Sequence, residues 1–347
     1  MISFDKPFWI AGSEQRFTQF FESLDDKEVI AVVSHKSDLD GIVSAKVITS
    51  AVEAAILKLV DYTDLNEQLI ETLRAEKVTK IIISDLNFKK KEHILQLESF
   101  AHVLIVDHHQ FTEDFNSEKT VFMNAQGMCA AYLSYYLFSK KENLKEWDWA
   151  VACASLSDWA WKKNGLFLSE VFKKYGKIFV GSEEDVKKGV FWEFQYQLYL
   201  ALVYYKNDLM QFYKAFPEKF GELGSLSKYI REVQNEVDRV LHKFDLEKKI
   251  IHERMVWEFK GIFPVRELII NMRSHECPEK TFVIFEKSGE IYKCSFRRQD
   301  EKEDVSLLAR KLVEGFDGGD GGGHKAASGC SFPTRFLPEF LERLTTM

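Results

Sequence analysis

The amino-acid sequence predicts an α/β protein with a parallel sheet in its N-terminal part and a smaller, mixed α/β region at its C-terminal end. From about residue 29 to 160, short β-branched runs alternate with helical patterns, as in repeated βαβ units. Beyond Pro264, two further β-type runs are separated by turn residues. Because 347 residues exceed the length at which one core usually keeps growing, we expect more than one domain. The expected division is an N-terminal domain over residues 1–165, a helical connector over 166–256 and a C-terminal domain over 257–347.

The N-terminal elements are predicted from β-branched runs for strands and from apolar residues at helical spacing for helices. Val29–Val33 is the first predicted strand, and the segment Ile42–Leu57, rich in Ala and Val, is the helix after it. The further predicted strands are Leu57–Asp61, Lys80–Ile83, Val103–Val106 and Thr120–Met123, and the further helices are Leu65–Glu76, Lys89–Phe100, Met128–Ser139 and Leu144–Leu156. This alternation predicts parallel strands that are joined by crossover helices.

The rest of the chain has a helical middle and a β-rich end. Long helical periodicity over Glu222–Lys249 predicts a helix within the connector. The runs Thr281–Phe285 and Ile291–Phe296 flank the turn residues Lys287-Ser288-Gly289 and predict a hairpin. A predicted helix, Val305–Glu314, then precedes a glycine cluster that includes Gly321, Gly322 and Gly323.

Composition excludes several classes of protein. A net charge of −7 and a pI of about 5.8 argue against a surface that grips long stretches of phosphate backbone. The five cysteines are scattered without a C-x-x-C pair, which favours reduced thiols in the cytoplasm. The first residues carry no basic flank before an apolar core, and no apolar run reaches membrane-spanning length. We therefore expect a soluble, cytoplasmic protein without a membrane partner.

Residue types that bind metals follow three of the predicted strands. Asp107-His108-His109 comes directly after the apolar end of the fourth strand. The first strand leads into His35-Lys36-Ser37-Asp38-Leu39-Asp40-Gly41, and the third leads into Asp85. Since the carboxyl ends of parallel strands meet at one edge of a sheet, where open α/β folds build their sites, we expect these side chains to converge.

Such a convergence predicts bound cations. Several buried carboxylates without partners cost more free energy than a domain can absorb, and cations remove that cost. Mixed imidazole and carboxylate ligands suit Mn²⁺ or a similar first-row ion. We expect two ions that share Asp85, with Asp158 at the end of an apolar helix as a further ligand. Two such ions lower the pKa of a bridging water and hold phosphate oxygens, which predicts hydrolysis of phosphoric esters or anhydrides.

Taken together, these motifs resemble the DHH phosphoesterase superfamily with its C-terminal DHHA1 domain. The resemblance rests on His35-x-x-Asp38-x-Asp40-Gly41, Asp85, Asp107-His108-His109, Asp158 and the run Gly321-Gly322-Gly323-His324-Lys325-Ala326-Ala327-Ser328-Gly329. It implies one Mn²⁺ bound by His35, Asp38 and Asp85. It implies a second Mn²⁺ bound by Asp40, Asp85, His108 and Asp158.

The resemblance also implies roles for residues that do not bind the ions. Asp107 would orient a neighbouring imidazole, and His109 would face the scissile phosphate. In the C-terminal domain, Ser295-Phe296-Arg297 resembles the family's phosphate-binding strand. His324, with the main-chain amides of Gly322 and Gly323, would hold the other end of the substrate. Physical chemistry agrees, because glycines let amides approach an anion and arginine offers a planar fork to phosphate.

Some alternatives stay open at this point. Asp158 could be a helix-capping carboxylate. Arg298 competes with Arg297 for the phosphate, because adjacent strand residues face opposite sides of a sheet. The glycine run could be a flexible turn. The chain also departs from the family pattern, since residues 124–131 lack the Ser/Thr-rich form of relatives and Trp159-Ala160-Trp161 follows Asp158.

The expected function is a Mn²⁺-dependent phosphodiesterase that hydrolyses short single-stranded RNA or DNA oligonucleotides from one end, like a nanoRNase, in a cleft between two domains. Mg²⁺ or another divalent ion could replace Mn²⁺. The alternative substrates are a phosphoadenosine phosphate, a cyclic dinucleotide, or longer single strands as in RecJ. A non-enzymatic scaffold that binds nucleic acid is a further alternative. A homodimer is a possible assembly.

Overall fold

The computed structural model describes residues 3–88 and 90–347 of the chain. The backbone forms two compact units, Met1–Ile230 and Arg231–Met347, each with its own sheet. The domain boundaries at residues 165 and 256 stay a prediction. Among the described residues, no helix is both long enough and apolar enough to cross a membrane.

The N-terminal unit is built on a sheet whose described strands are β1 (Ile30–His35), β2 (Ile56–Val60), β3 (Lys80–Ser84), β4 (His102–Asp107) and β5 (Thr120–Asn124). These strands are all parallel and lie in the order β2-β1-β3-β4-β5. The central strands are buried on both faces, as the β-branched run Ile81–Ile83 illustrates. Because all of these strands point the same way, their carboxyl ends share one edge of the sheet.

The helices of this unit are α1 (Glu14–Glu22), α2 (Leu39–Ala51), α3 (Glu67–Ala75), α4 (Lys91–Glu98), α5 (Ala130–Phe138), α6 (Asp148–Ser157), α7 (Gly165–Lys174), α8 (Glu183–Lys187), α9 (Val190–Tyr204) and α10 (Leu209–Ala215). Short 3₁₀ turns lie at Tyr62–Asp64 and Ala160–Lys162. Every residue of α5 is buried, and α5 packs against α2 and α6. A helix that is apolar on nearly all sides requires such a position in the core.

The C-terminal unit contains a mixed sheet. The remaining elements along the chain are α11 (Leu226–Glu247), β6 (Lys249–Ile251), β7 (Arg254–Glu258), α12 (Arg266–Glu276), β8 (Phe282–Ser288), β9 (Ile291–Arg297), α13 (Val305–Val313), β10 (Asp320–Gly323), β11 (Ala327–Pro333) and α14 (Leu337–Thr346). The described strands of this unit lie in the order β10-β11-β9-β8-β7-β6. All neighbours are antiparallel except β7 and β8, which are parallel.

The predicted fold class, a parallel-sheet domain followed by helices and a mixed α/β domain, is confirmed. The helix after the first strand was predicted to continue to Leu57, which is wrong, because α2 ends at Ala51 and Ile56–Val60 form β2. Ile56 and Leu57 pair with β1 in the sheet, so tertiary pairing overrides the helical pattern there. Lys89, where another helix was predicted to begin, lies outside the described residues.

A hairpin occupies the end of the segment that was predicted to be a helical connector. β6 and β7 pair in an antiparallel manner and belong to the C-terminal sheet. Their turn residues His252 and Glu253 have φ values of 46° and 63°, as a two-residue hairpin turn requires. The usual Asn or Gly is missing at both positions, so no residue pattern signals this turn.

The glycine cluster forms an edge strand, and not a flexible turn. Asp320–Gly323 is β10, which pairs with β11 along its length. At Gly323, where φ is 144°, an added Cβ would lie 2.7 Å from the carbonyl oxygen of Ala327. Glycine is therefore required there both by the backbone conformation and by the close approach of the neighbouring strand.

Candidate metal centre and phosphate groove

The strand ends bring three predicted metal-binding segments together at the carboxyl edge of the N-terminal sheet. His35 is the last residue of β1, Asp85 follows β3, and His108 follows β4, and these strands are neighbours in the sheet. Asp85 has φ 59°, a left-handed conformation that Asp tolerates better than most residues. Its amide donates a hydrogen bond to the carbonyl of Val106 over 3.1 Å, which fixes the turn after β3.

The first group of possible ligands is His35, Asp38 and Asp85, each with one donor atom within 4.8 Å of the others. His35 Nδ1 lies 2.9 Å from Asp38 Oδ2. Asp38 caps α2, and its Oδ1 accepts a hydrogen bond from the amide of Gly41 over 3.0 Å. A Cβ at Gly41 would lie 2.1 Å from the carbonyl oxygen of His35, so the tight turn from β1 into α2 needs glycine.

The second group is Asp40, His108 and Asp158, which satisfy the same distance criterion. His108 Nε2 lies 3.6 Å from Asp40 Oδ2, and its Nδ1 lies 3.7 Å from Asp158 Oδ2. Asp40 is buried, and its two oxygens accept hydrogen bonds from the amides of Ala130 and Ala131, each over 2.7 Å. These amides begin α5, and a helix N-terminus is a favourable place for a carboxylate.

Asp85 faces both groups at once. Its Oδ2 lies 3.4 Å from His35 Nδ1, and its Oδ1 lies 3.3 Å from His108 Nε2. Asp85 Oδ2 and His108 Nε2 are buried and make no hydrogen bond with any described residue. Buried polar atoms normally have hydrogen-bond partners. Two neighbouring residues that each have a buried, metal-binding atom without such a partner therefore indicate a ligand site.

The electrostatics of this cluster also fit a cation. Burial, together with the charges of Asp85 and Asp158, raises the pKa of Asp40 well above its usual range. Burial raises the pKa of Asp158 to about 6. Burial alone would lower the pKa of His108, but the adjacent carboxylate of Asp85 and the charges of Asp40 and Asp158 raise that pKa to about 10. The carboxylates therefore lack enough positive charge around them, and divalent ions would supply it.

His109 and Asp107 each have a ligand atom within 4.8 Å of such atoms on Asp85 and His108, and His109 also belongs to a chain of hydrogen bonds. Its Nδ1 lies 2.7 Å from Oδ1 of the buried Asp107, and its Nε2 lies 3.1 Å from the hydroxyl of Tyr62. The Tyr62 ring also packs on His35, with 4.8 Å between ring centroids. Asp61 Oδ1 lies 4.0 Å from His35 Nε2. The arrangement fixes the orientation of His109 from both ring nitrogens.

Sequence reasoning missed Tyr62 and Asp61. Both come directly after β2, so they lie at the same sheet edge as the other site residues. The rule that polar residues at the ends of parallel strands form the site would have found them, had it been applied to this strand as well.

The C-terminal unit has a groove of about 720 Å³ that contains Ser295, Arg297, Gly322 and Gly323 among its lining residues. Arg297 Nη2 lies 3.0 Å from Glu267 Oε2, and the Ser295 hydroxyl also donates to Glu267. His324 is exposed in the turn between β10 and β11 and is not among the residues that line this groove.

Arg298 lies outside this groove. Its Nε donates to Asp300 over 2.7 Å. The two adjacent arginines are thus separated: Arg297, the last residue of β9, lines the groove, and Arg298, directly after the strand, does not.

Two family models match the chain, one in the N-terminal unit and one in the C-terminal unit. The DHH family, N-terminal domain, matches residues 29–156, and the DHHA1 domain matches residues 265–347. The chain therefore contains a DHH-family N-terminal domain and a DHHA1 domain. DHH-family members include phosphoesterases and exonucleases, and the acidic cluster at the sheet edge fits that class.

Solved structures of DHH proteins share this fold. A RecJ exonuclease bound to manganese matches with a TM-score of 0.65 and 14% identity, over 96% of this chain and 93% of that one. RecJ of Thermus thermophilus in complex with Mn²⁺ matches with a TM-score of 0.66 and 14% identity. The match covers 96% of this chain and 54% of RecJ, so this chain spans about half of that protein. The pGpG-specific phosphodiesterase PggH of Vibrio cholerae matches with a TM-score of 0.53 and 14% identity, over 92% of this chain and 98% of that one. No curated protein matches the chain by sequence.

Proposed function

We propose that this DHH protein is a Mn²⁺-dependent phosphodiesterase that hydrolyses short oligonucleotides from one end. The observation that carries the proposal is the position of Asp85, whose two oxygens face His35 and His108 at 3.4 and 3.3 Å. A carboxylate in that position can be shared by two ions. Mg²⁺ or another divalent ion could take the place of Mn²⁺.

The ligands of the proposed ions follow the two groups of donor atoms. His35, Asp38 and Asp85 would hold one ion. Asp40, His108 and Asp158 would hold the other together with Asp85, whose Oδ1 lies 3.3 Å from His108 Nε2. When bound, two such ions lower the pKa of a bridging water and clamp the phosphate oxygens for in-line attack.

The remaining site residues would orient the substrate. Asp107 holds the Nδ1 side of His109 by a hydrogen bond, so that His109 keeps one orientation toward the scissile phosphate. In the C-terminal groove, Arg297 with the amides of Gly322 and Gly323 would bind a second phosphate of the substrate. Binding there requires Arg297 to exchange its contact with Glu267 for the phosphate. His324 would approach the substrate only from the exposed turn beside the groove.

Several observations support a short substrate in the cytoplasm. The net charge of −7 disfavours binding along a long phosphate backbone. The groove of about 720 Å³ is of a size that suits one or two nucleotides. The PggH neighbour is named for a dinucleotide, pGpG. The cysteines, all free within the described part of the chain, fit a reducing compartment.

The test is hydrolysis of 5′-labelled RNA and DNA from dinucleotide to about 25-mer, with Mn²⁺ or Mg²⁺. We expect the highest rate on substrates of two to about five nucleotides, and none with an Asp85→Asn variant. A flat or rising rate with length would favour a RecJ-like single-strand exonuclease. Hydrolysis confined to phosphoadenosine phosphate or to a cyclic dinucleotide would move the assignment to those substrates. Binding of strands without any hydrolysis would leave the non-enzymatic scaffold.

A further inference from the structure

Trp159 follows the proposed ligand Asp158 directly and has an unusual backbone conformation. Its φ is 57°, in the left-handed region that a bulky side chain rarely adopts. Such a conformation costs free energy and persists only where the surroundings hold it in place, most often at functional sites. Asn or Gly would adopt it more easily, so the presence of tryptophan calls for a reason beyond the turn itself.

The indole of Trp159 is held in a fixed position yet exposed. Its ring lies 4.8 Å from the ring of Trp161, which is buried, and meets the ring of Trp192 edge-on at 6.0 Å. Trp159 is nevertheless 44% exposed. No other tryptophan in the described part of the chain is as exposed. An exposed ring on a rigid base presents an apolar surface at low entropic cost.

The segment that carries this ring lies along the carboxyl edge of the sheet. At one end, Asp158 Oδ2 is 3.7 Å from His108 Nδ1. At the other end, the Lys163 side chain lies against Gly127, 3.3 Å from where a Cβ would be, in the loop after β5. Trp159 is therefore one residue away from a side chain of the candidate metal centre and between two contacts with this edge.

One lysine contacts the ring and is itself paired with Glu183, whose Oε1 lies 2.7 Å from Lys187 Nζ, and two more lysines follow Trp159 in the chain. Lys187 Nζ lies 4.7 Å from the centroid of the Trp159 ring, as in a cation–π contact. Lys162 and Lys163 are exposed in the turn that follows. Aromatic rings interleaved with lysines are the combination with which proteins bind single-stranded nucleic acid, because bases stack on the rings and phosphates meet the cations.

We propose that Trp159 is a base-stacking platform for the nucleotide whose phosphate occupies the metal centre, an inference that rests on the proposed function. The base stacks on the exposed indole, and Lys187 moves from the ring toward the substrate backbone. The ligand class is a purine or pyrimidine nucleotide, and stacking tolerates any base because every base has a π face.

The test compares AMP with ribose 5-phosphate, which differ by the base alone. Equilibrium dialysis of the full chain in Mn²⁺ should show AMP bound roughly 5- to 150-fold more tightly, the range that one stacked base provides. Trp159→Asn should bring this ratio to within about twofold of one, and Trp159→Phe should restore part of it. Because Asn tolerates the left-handed backbone, Trp159→Asn removes the ring but keeps the turn, and Trp159→Phe keeps an aromatic ring beside Trp161 and Trp192.

Lys77→Asn is the matched control, since Lys77 has the same φ of 57° but precedes β3, at the opposite edge of the sheet. It should leave the AMP preference unchanged. Equal binding of both ligands by the wild type, or an unchanged ratio in Trp159→Asn, would overturn the platform. The binding result is independent of hydrolysis. A base preference that depends on Trp159, without cleavage of any oligonucleotide, would support the stacking platform and reject the proposed reaction. Cleavage of oligonucleotides without a base preference would support the proposed reaction and reject the stacking platform.

Discussion

Replacing Asp85 with Asn tests whether cations compensate the crowded carboxylates at the sheet edge. Asn has nearly the same shape but carries no charge, and Asp85 is only 2% exposed. Two unit charges about 4 Å apart repel by about 4 kcal/mol at an effective dielectric constant of about 20. Burial and the charge of Asp38 already raise the pKa of Asp85. In the absence of metal, Asp85→Asn should therefore melt at the wild-type temperature or above.

Addition of Mn²⁺ should reverse the order of the two melting temperatures, so that the wild type melts above Asp85→Asn. An ion at about one hundred times its Kd stabilises the folded state by about 2.7 kcal/mol. For a unit of this size, that is a rise in Tm of about 5 to 11 °C in the wild type. Asp85→Asn should lose most of this rise, because it removes the carboxylate that we propose both ions share. Differential scanning fluorimetry in EDTA and in Mn²⁺ measures both effects.

Asp148→Asn is the matched control for this experiment. Asp148 is also fully buried, but its Oδ2 lies 2.7 Å from Lys174 Nζ, so its charge has a partner. Its replacement should lower the Tm without metal and leave the rise with Mn²⁺ intact. Cations do not compensate the carboxylates at the sheet edge if Asp85→Asn keeps the full rise in Tm with Mn²⁺, or if it lowers the metal-free Tm as much as Asp148→Asn does.

Other variants probe the parts of the site separately. Tyr62→Phe removes the hydroxyl that meets His109 Nε2 but keeps the ring, so kcat should fall about two- to tenfold with little change in KM in steady-state assays. Arg297→Lys should raise KM about tenfold, because lysine cannot make the bidentate phosphate contact that we propose for Arg297, whereas Arg298→Lys should leave KM unchanged. Gly41→Ala would place a methyl group 2.1 Å from a carbonyl oxygen at the end of β1, so thermal melts should show a large loss of stability, and an unchanged Tm would contradict this geometry.

The sequence was sufficient to predict where the strand-end residues meet, since one physical rule places them. Parallel strands end at one edge, and register pairs Ser34 with Ser84 and Ser84 with Val106, so the residues that follow are neighbours. The convergence of Asp85 with His35 needed no knowledge of loops or helices. Which residue binds which ion stays a prediction.

Residues in irregular turns were harder to predict. Tyr62 begins a 3₁₀ turn whose shape depends on a hydrogen bond from its amide to Asp61 Oδ1 over 2.8 Å. The turn is also held by Lys36, whose Nζ contacts Asp64 at 2.6 Å. Neither contact has a periodic pattern in the sequence, and therefore the direction in which Tyr62 points could not be inferred from it.

The start of α5 is capped by a residue from a distant part of the chain. This helix begins after Cys129, whose side chain makes no capping hydrogen bond. The acceptor comes instead from Asp40, ninety residues earlier, which takes the first two amides of α5. One carboxylate thus caps a buried helix and faces His108. The position of this carboxylate is set by the packing of α2 on α5, so a substitution in that core should weaken the proposed metal binding without changing any proposed ligand.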